Sequence, residues 1–150
     1  MCYPDSVEEI YVGLTISKHK PLPLSTFYDS DLAHDRITRR SIDDVVGMVE
    51  KIAINHKPKR QTSIETSTYS AELSVGRVSI EHFQEMRCML RSLCAEVIMS
   101  TKDYGDNKSS YESCANKKSE CKSRHSSASF HKMRESVASV MITPCHVCLE

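Results

Sequence analysis

The sequence has no tryptophan, and it has no net charge, with 20 basic residues set against 20 acidic ones. A zero balance leaves no global field to draw in a nucleic acid or a membrane surface, so polyanion binding has to come from local patches. No apolar run approaches the length of a membrane span, and no membrane partner is expected. The opening residues, MCYPDSVEEI, are acidic and lack the basic-then-apolar order of a secretion signal. The seven cysteines are odd in number and scattered. Without a secretion signal, that usage points to reduced thiols in the cytoplasm or nucleus rather than a disulfide framework. There is no internal repeat. What remains is a chain of 150 residues, 39% hydrophobic and 27% charged, which suits one globular domain with a moderate core.

Residues 1–22 read as an irregular leader and 23–150 as the domain. Pro21 and Pro23 favour extended chain. Leu24 to Tyr28 is a short β-prone run that ends in Asp29-Ser30-Asp31, and Val45 to Ile54 reads as a hairpin with Glu50-Lys51 near its turn. A long amphipathic helix follows. Its stripe is Val75, Phe83, Met86, Leu90 and Leu93, at a period of about 3.6. Thr66-Ser67-Thr68 offers hydroxyls to cap it, and Glu72 is expected in or near the first turn. Val97-Ile98-Met99 begins a further strand that closes at Tyr104-Gly105-Asp106-Asn107. The segment from Lys108 to Arg124 is a polar loop or weak helix. Phe130, Met133, Val137, Val140 and Met141 mark another helix, and Cys145 to Glu150 could form a last strand. Strands first, then a long helix, then strand and helix, give an α/β order.

Asp29 and Asp106 end strands, and Glu72 lies near a helix start, where ligand sites of α/β sheets gather. Three converging carboxylates repel unless a hard cation holds them. Mg²⁺ accepts a few carboxylates and leaves positions for phosphate oxygens. Two such ions about 4 Å apart would flank a scissile phosphate. Spacing alone does not single out this trio in a chain so rich in acids.

The words around each acid do. Phe27 to Asp35 is FYDSDLAHD, followed by ITRRS; Lys59 to Leu73 is KRQTSIETSTYSAEL. Met89 to Leu93 is MLRSL, Tyr104 to Asn107 is YGDN, and Arg124 to Glu135 is RHSSASFHKMRE. In order and spacing these words resemble the ribonuclease H domain at the end of copia-type retrotransposon Pol polyproteins, from about Tyr3 to about Val147. The resemblance implies a mixed five-stranded sheet with flanking helices. It also implies a two-metal Mg²⁺ site on Asp29, Glu72 and Asp106, and cleavage of RNA in an RNA–DNA hybrid. Lys59, Arg60, Arg124 and His125 would touch the nucleic acid.

The departures from that pattern are specific. The sequence stops at Glu150, before the Asn-x-Ala-Asp word whose aspartate completes the family's metal site, so a truncated C-terminal helix and impaired hydrolysis are expected. The reverse transcriptase portion of a parent polyprotein is expected to be absent here. Asp43-Asp44 stands where the family has Thr-Gly, His56 where an aromatic is usual, and Pro58 where Ser is usual. Lys102 and Asp103 fall on a strand that should be central, parallel and apolar, so either the pairing shifts toward Glu96 to Met99 or the domain is loosened. The alternative function is a non-enzymatic transposon remnant with at most weak nucleic-acid binding. Cys145-His-Val-Cys148, with Cys114 and Cys121, has zinc-like residues without a tight knuckle. Cys88 and Cys94 read as packed or partly buried thiols.

Overall fold

The structure is a computed structural model that describes residues 21–62, 64–98, 100–121 and 124–147. Residues 1–20 of the leader expected at 1–22, and Met99, Lys122 and Cys148 with them, lie outside the described residues. The element order is β1 (Leu24–Asp31), β2 (Ile42–Val49), β3 (Ile52–His56), β4 (Lys59–Arg60), α1 (Thr68–Ser92), β5 (Thr101–Gly105), α2 (Lys108–Ala115), α3 (Ser127–Ala138) and β6 (Ile142–His146).

The strands form one mixed sheet of order β3-β2-β1-β5-β6, with β4 a short sixth strand on β2. The expected five strands are therefore present, plus one pairing that the sequence did not suggest. Pro58, which has no N–H to give, interrupts the outer strand between β3 and β4. Lys57 N–H still reaches the Val45 carbonyl at 2.8 Å. β1, β2 and β3 are antiparallel neighbours, while β5 runs parallel to both β1 and β6. Pro144 sits in β6, which among the described residues borders only β5, and an edge strand tolerates a residue without a donor.

One face of the sheet carries the core. Along β1, Leu24, Thr26 and Tyr28 are buried while Phe27 and Asp29 are exposed, the alternation of a strand covered on one side. Helix α1 lies over the buried face. Val75 and Val78 meet Tyr28 and Val45; Met86 and Leu90 meet Leu22, Leu24 and Val49. Leu73, Ile80 and Phe83 pack with Cys114, Phe130, Met133 and Ile142 beneath α2 and α3. Burying each such side chain contributes about 1.5–3 kcal/mol.

Several local expectations are corrected. Leu93 is not on the buried stripe: it caps α1 and is 63% exposed. Both α1 and α3 end in Schellman turns, with Ala95 N–H on Leu90 O and Met141 N–H on Ser136 O, each at 3.0 Å. The residues in the left-handed position are Cys94 and Val140, not glycine, with φ of 58° at each. Val97 makes an isolated bridge to Leu22, and the strand proper begins at Thr101. Cys88 and Cys94 are exposed rather than packed, because Cys88 falls off the buried stripe of α1 and Cys94 lies in the turn just past its C-cap.

The pairing of β5 does not shift toward Glu96. Lys102 points to the open face and is exposed. Asp103 is fully buried, yet Thr26 Oγ1 and Ser79 Oγ donate to its Oδ1 at 2.6 and 2.7 Å. Partners from β1 and α1 thus satisfy one oxygen of a carboxylate that looked out of place in a parallel strand.

Candidate metal centre

β1 and β5 are parallel neighbours with Tyr28 opposite Gly105. The next residue on each, Asp29 and Asp106, therefore emerges at the same end of the sheet. Helix α1 begins just above. Ser67 caps it, its Oγ accepting from Ser70 N–H at 3.2 Å. Glu72 falls in the second turn rather than the first, on the face turned toward the sheet. Oxygens of Asp29, Glu72 and Asp106 all lie within 4.8 Å of one another. Among the described residues this is the one such group of His, Cys, Asp or Glu.

Asp29 and Asp106 are exposed and Glu72 is 4% exposed. Burial first, then the charges of Asp106 and Asp29, push the Glu72 carboxyl up to about 8, against a hydrogen bond from the Ser30 backbone that favours the ionised form. Its Oε2 is buried without a hydrogen-bond partner among the described residues. An acceptor oxygen that nothing satisfies, facing two further carboxylates, fits the all-oxygen, charge-compensating demands of a divalent cation such as Mg²⁺. Asp31 and Asp35 stay out of the cluster. Asp31 meets His34 Nδ1 at 2.6 Å. Asp35 accepts from Thr38 Oγ1 and from the Ile37 and Thr38 N–H groups, which hold its carboxyl down at about 2.

Tyr28 forms the floor. It is buried, and a Cβ at Gly105 would stand 2.6 Å from its hydroxyl. Beside Asp29 and Asp106, on the open face, lies a cavity of about 250 Å³ lined by Phe27, Val46, Tyr104 and Val147. The Phe27 and Tyr104 rings stack there with centroids 4.6 Å apart.

The basic residues named from the sequence approach the start of α1 from two elements. Lys59 and Arg60 are exposed on β4, next to Gln61, whose Nε2 lies 3.3 Å from the Ala71 carbonyl. Arg60 also reaches Asp35 at 3.5 Å. Arg124 and His125 are exposed in the turn before α3, and the following Ser126 Oγ donates to Ser70 Oγ at 2.8 Å. The zinc-like set does not assemble among the described residues. Cys114 is in the core, where burial pushes its thiol up to about 11, and Cys121 packs against that same core.

Sequence reasoning missed a polar group under the centre, made by Ser30, Asp43 and Gln61. Gln61 was legible as the last letter of the KRQ word. Asp43 was legible as a departure in the position of a threonine. Asp44, the companion departure, pairs with His56 Nε2 at 2.5 Å across β2 and β3. The two unusual residues thus answer one another.

Sheet order, the helix across it and three acids at one end define a ribonuclease H fold. The chain is similar to the ribonuclease H1 of the halophilic archaeon Halobacterium salinarum NRC-1, with 9% identity, 83% of this chain and 85% of that one covered, and a TM-score of 0.61. It is similar to the LC11 ribonuclease H1 in complex with an RNA/DNA hybrid, at 14% identity, 83% and 84% coverage and a TM-score of 0.59. It is also similar to part of a foamy viral protease-reverse transcriptase in complex with an RNA/DNA hybrid, at 11% identity, with 97% of this chain but 20% of that one covered and a TM-score of 0.56. No protein-family model and no curated protein sequence matches the chain.

Proposed function

We propose that this domain is a metal-dependent nuclease of the ribonuclease H type that cleaves the RNA strand of an RNA–DNA hybrid. The observation that carries the reading is the meeting of Asp29 of β1, Glu72 of α1 and Asp106 just past β5, with oxygens within 4.8 Å of one another. These three residues would hold the cation, which supplies an activated water and stabilises the departing oxygen. Lys59, Arg60, Arg124 and His125 would meet the phosphates around it. Two of the similar structures are described as complexes with RNA/DNA hybrids, which supports the same substrate class here.

The finer assignment, a domain of copia-type Pol descent, rests on the sequence words FYDSDLAHD and KRQTSIETSTYSAEL. Weak hydrolysis belongs to the same proposal, because the described cluster has three carboxylates. A loosely fixed ion is costly, since a displacement of about 1 Å in a reacting group lowers rate roughly a hundredfold. The test is hydrolysis of a labelled RNA–DNA hybrid in Mg²⁺ or Mn²⁺. Slow cleavage that Asp29→Asn or Asp106→Asn abolishes supports the reading. Cleavage unaffected by both substitutions refutes the site. A chain that binds no ion, and hybrid at most weakly, is the non-enzymatic remnant instead.

A further inference from the structure

Three carboxylates from three elements need those elements held in register, and a set of polar groups beneath the cluster does this. Ser30 follows Asp29 on β1. Its N–H donates to Asp29 Oδ1 at 2.8 Å, and its backbone also supports the Glu72 carboxylate. Its side chain points to the opposite face of the strand from Asp29, toward the interior. There Ser30 Oγ donates to Asp43 Oδ1 at 3.3 Å and accepts from Gln61 Nε2 at 3.2 Å. Gln61 Nε2 also donates to Asp43 Oδ1, and it lies 3.3 Å from the Ala71 carbonyl, one residue before Glu72. A single amide therefore touches β1, β2 and the turn of α1 that carries Glu72.

Both partners are well placed for this. Asp43 and Gln61 are 2% and 4% exposed. Asp43 stands directly across the β1–β2 ladder from Ser30, and Gln61 is anchored by its own N–H on the Ser41 carbonyl at 2.9 Å. Gln61 Oε1 has no hydrogen-bond partner among the described residues. Reversing the amide would set that oxygen against the Asp43 carboxylate, so Asp43 dictates which way the amide faces.

We infer that Asp43 and Gln61 are positioning residues, which act through Ser30 and Ala71 to fix the separation of Asp29 from Glu72 and so set the cation affinity of the cluster. The inference rests on the metal-site reading proposed above. It separates cleanly from a simple charge effect. Asp43 also stands close enough to Glu72 to disfavour its ionisation. If repulsion were its whole influence, removing the charge would tighten cation binding. If it positions, removing the acceptor weakens binding even though a negative charge has gone.

The experiment is Mn²⁺ titration of the full chain by calorimetry, at a temperature where circular dichroism shows each variant folded. Asp43→Ala and Gln61→Ala are each expected to weaken Mn²⁺ binding by about tenfold to a hundredfold, the usual effect of losing a residue that orients a ligand. The double variant should lose less than the product of the two, because both act in one network. Asp43→Asn keeps an oxygen for Gln61 and is expected to bind as tightly as wild type or more tightly, a rescue that a bulk effect on stability would not give. If Asp43→Ala does not fold, Ser30→Ala removes only the linking hydroxyl and is expected to weaken binding in the same way. Tighter binding by Asp43→Ala, or wild-type affinity in Gln61→Ala or Ser30→Ala, overturns the inference and leaves the metal site standing. A wild-type chain that binds no Mn²⁺ overturns both.

Discussion

Asp103 offers a quantitative test of how the core is built. Its carboxyl is fully buried, and burial pushes it up to about 6 despite the hydrogen bonds from Thr26 and Ser79. The unfolded chain holds an aspartate near its ordinary value of about 3.9. A carboxyl raised in the folded state penalises folding wherever it is ionised, so the penalty is full above pH 6 and disappears as pH falls toward 4. Two pKa units at about 1.4 kcal/mol each give roughly 3 kcal/mol, of which about 2.5 kcal/mol is released between pH 7.5 and 4. Asp103→Asn keeps an oxygen for both hydroxyls but cannot titrate. Its own constant cost, the amide N–H₂ placed where Asp103 Oδ2 has no partner among the described residues, does not depend on pH. Wild type and variant would be unfolded in urea at a series of pH values and followed by circular dichroism. His82 and Asp43 also titrate in the core, but they are common to both proteins and cancel in the difference. Wild type should gain about 2.5 kcal/mol on the variant between pH 7.5 and 4, equivalent to roughly 5–10 °C in Tm. A constant difference, or a wild type that loses ground on acidification, would refute the buried-carboxylate account.

Other consequences are simpler to check. Gly105→Ala should destabilise by about 1–3 kcal/mol and disturb the metal centre, because the added methyl meets the Tyr28 ring in a packed space; thermal melts and Mn²⁺ affinity would both register it. Cys94→Gly and Val140→Gly should each raise stability by about 1 kcal/mol, since both residues occupy the left-handed position that closes a helix, and unchanged melting would contradict the strain. Replacing Lys59 and Arg60 together by alanine should weaken hybrid binding and flatten its salt dependence by about one unit of slope for each phosphate no longer neutralised. An unchanged slope would remove them from the interface.

Much of this architecture was legible because local patterns and the fold agree. The hairpin turn at Glu50-Lys51 and the stripe of Val75, Phe83, Met86 and Leu90 follow directly from strand and helix periods. Helix ends were harder to read, because Cys94 and Val140 take a position where glycine is the usual signal. Asp103 looked misplaced because its partners are distant in sequence. Thr26 is 77 residues away and Ser79 is 24. Lys102 looked misplaced because a central parallel strand is normally covered on both faces, whereas here, among the described residues, its side of the sheet is open. The acids of the centre were readable through their surrounding words. The Ser30–Asp43–Gln61 support was not, since it exists only once β1, β2 and α1 are brought together.

The central claim is that Asp29, Glu72 and Asp106 form a divalent cation site. The most direct measurement is anomalous diffraction from crystals of the chain grown or soaked with Mn²⁺. The account predicts a peak bonded to carboxylate oxygens of all three residues, with a Glu72 oxygen among its ligands. Mn²⁺ bound only elsewhere, or a cluster that stays empty at millimolar Mn²⁺, would contradict it.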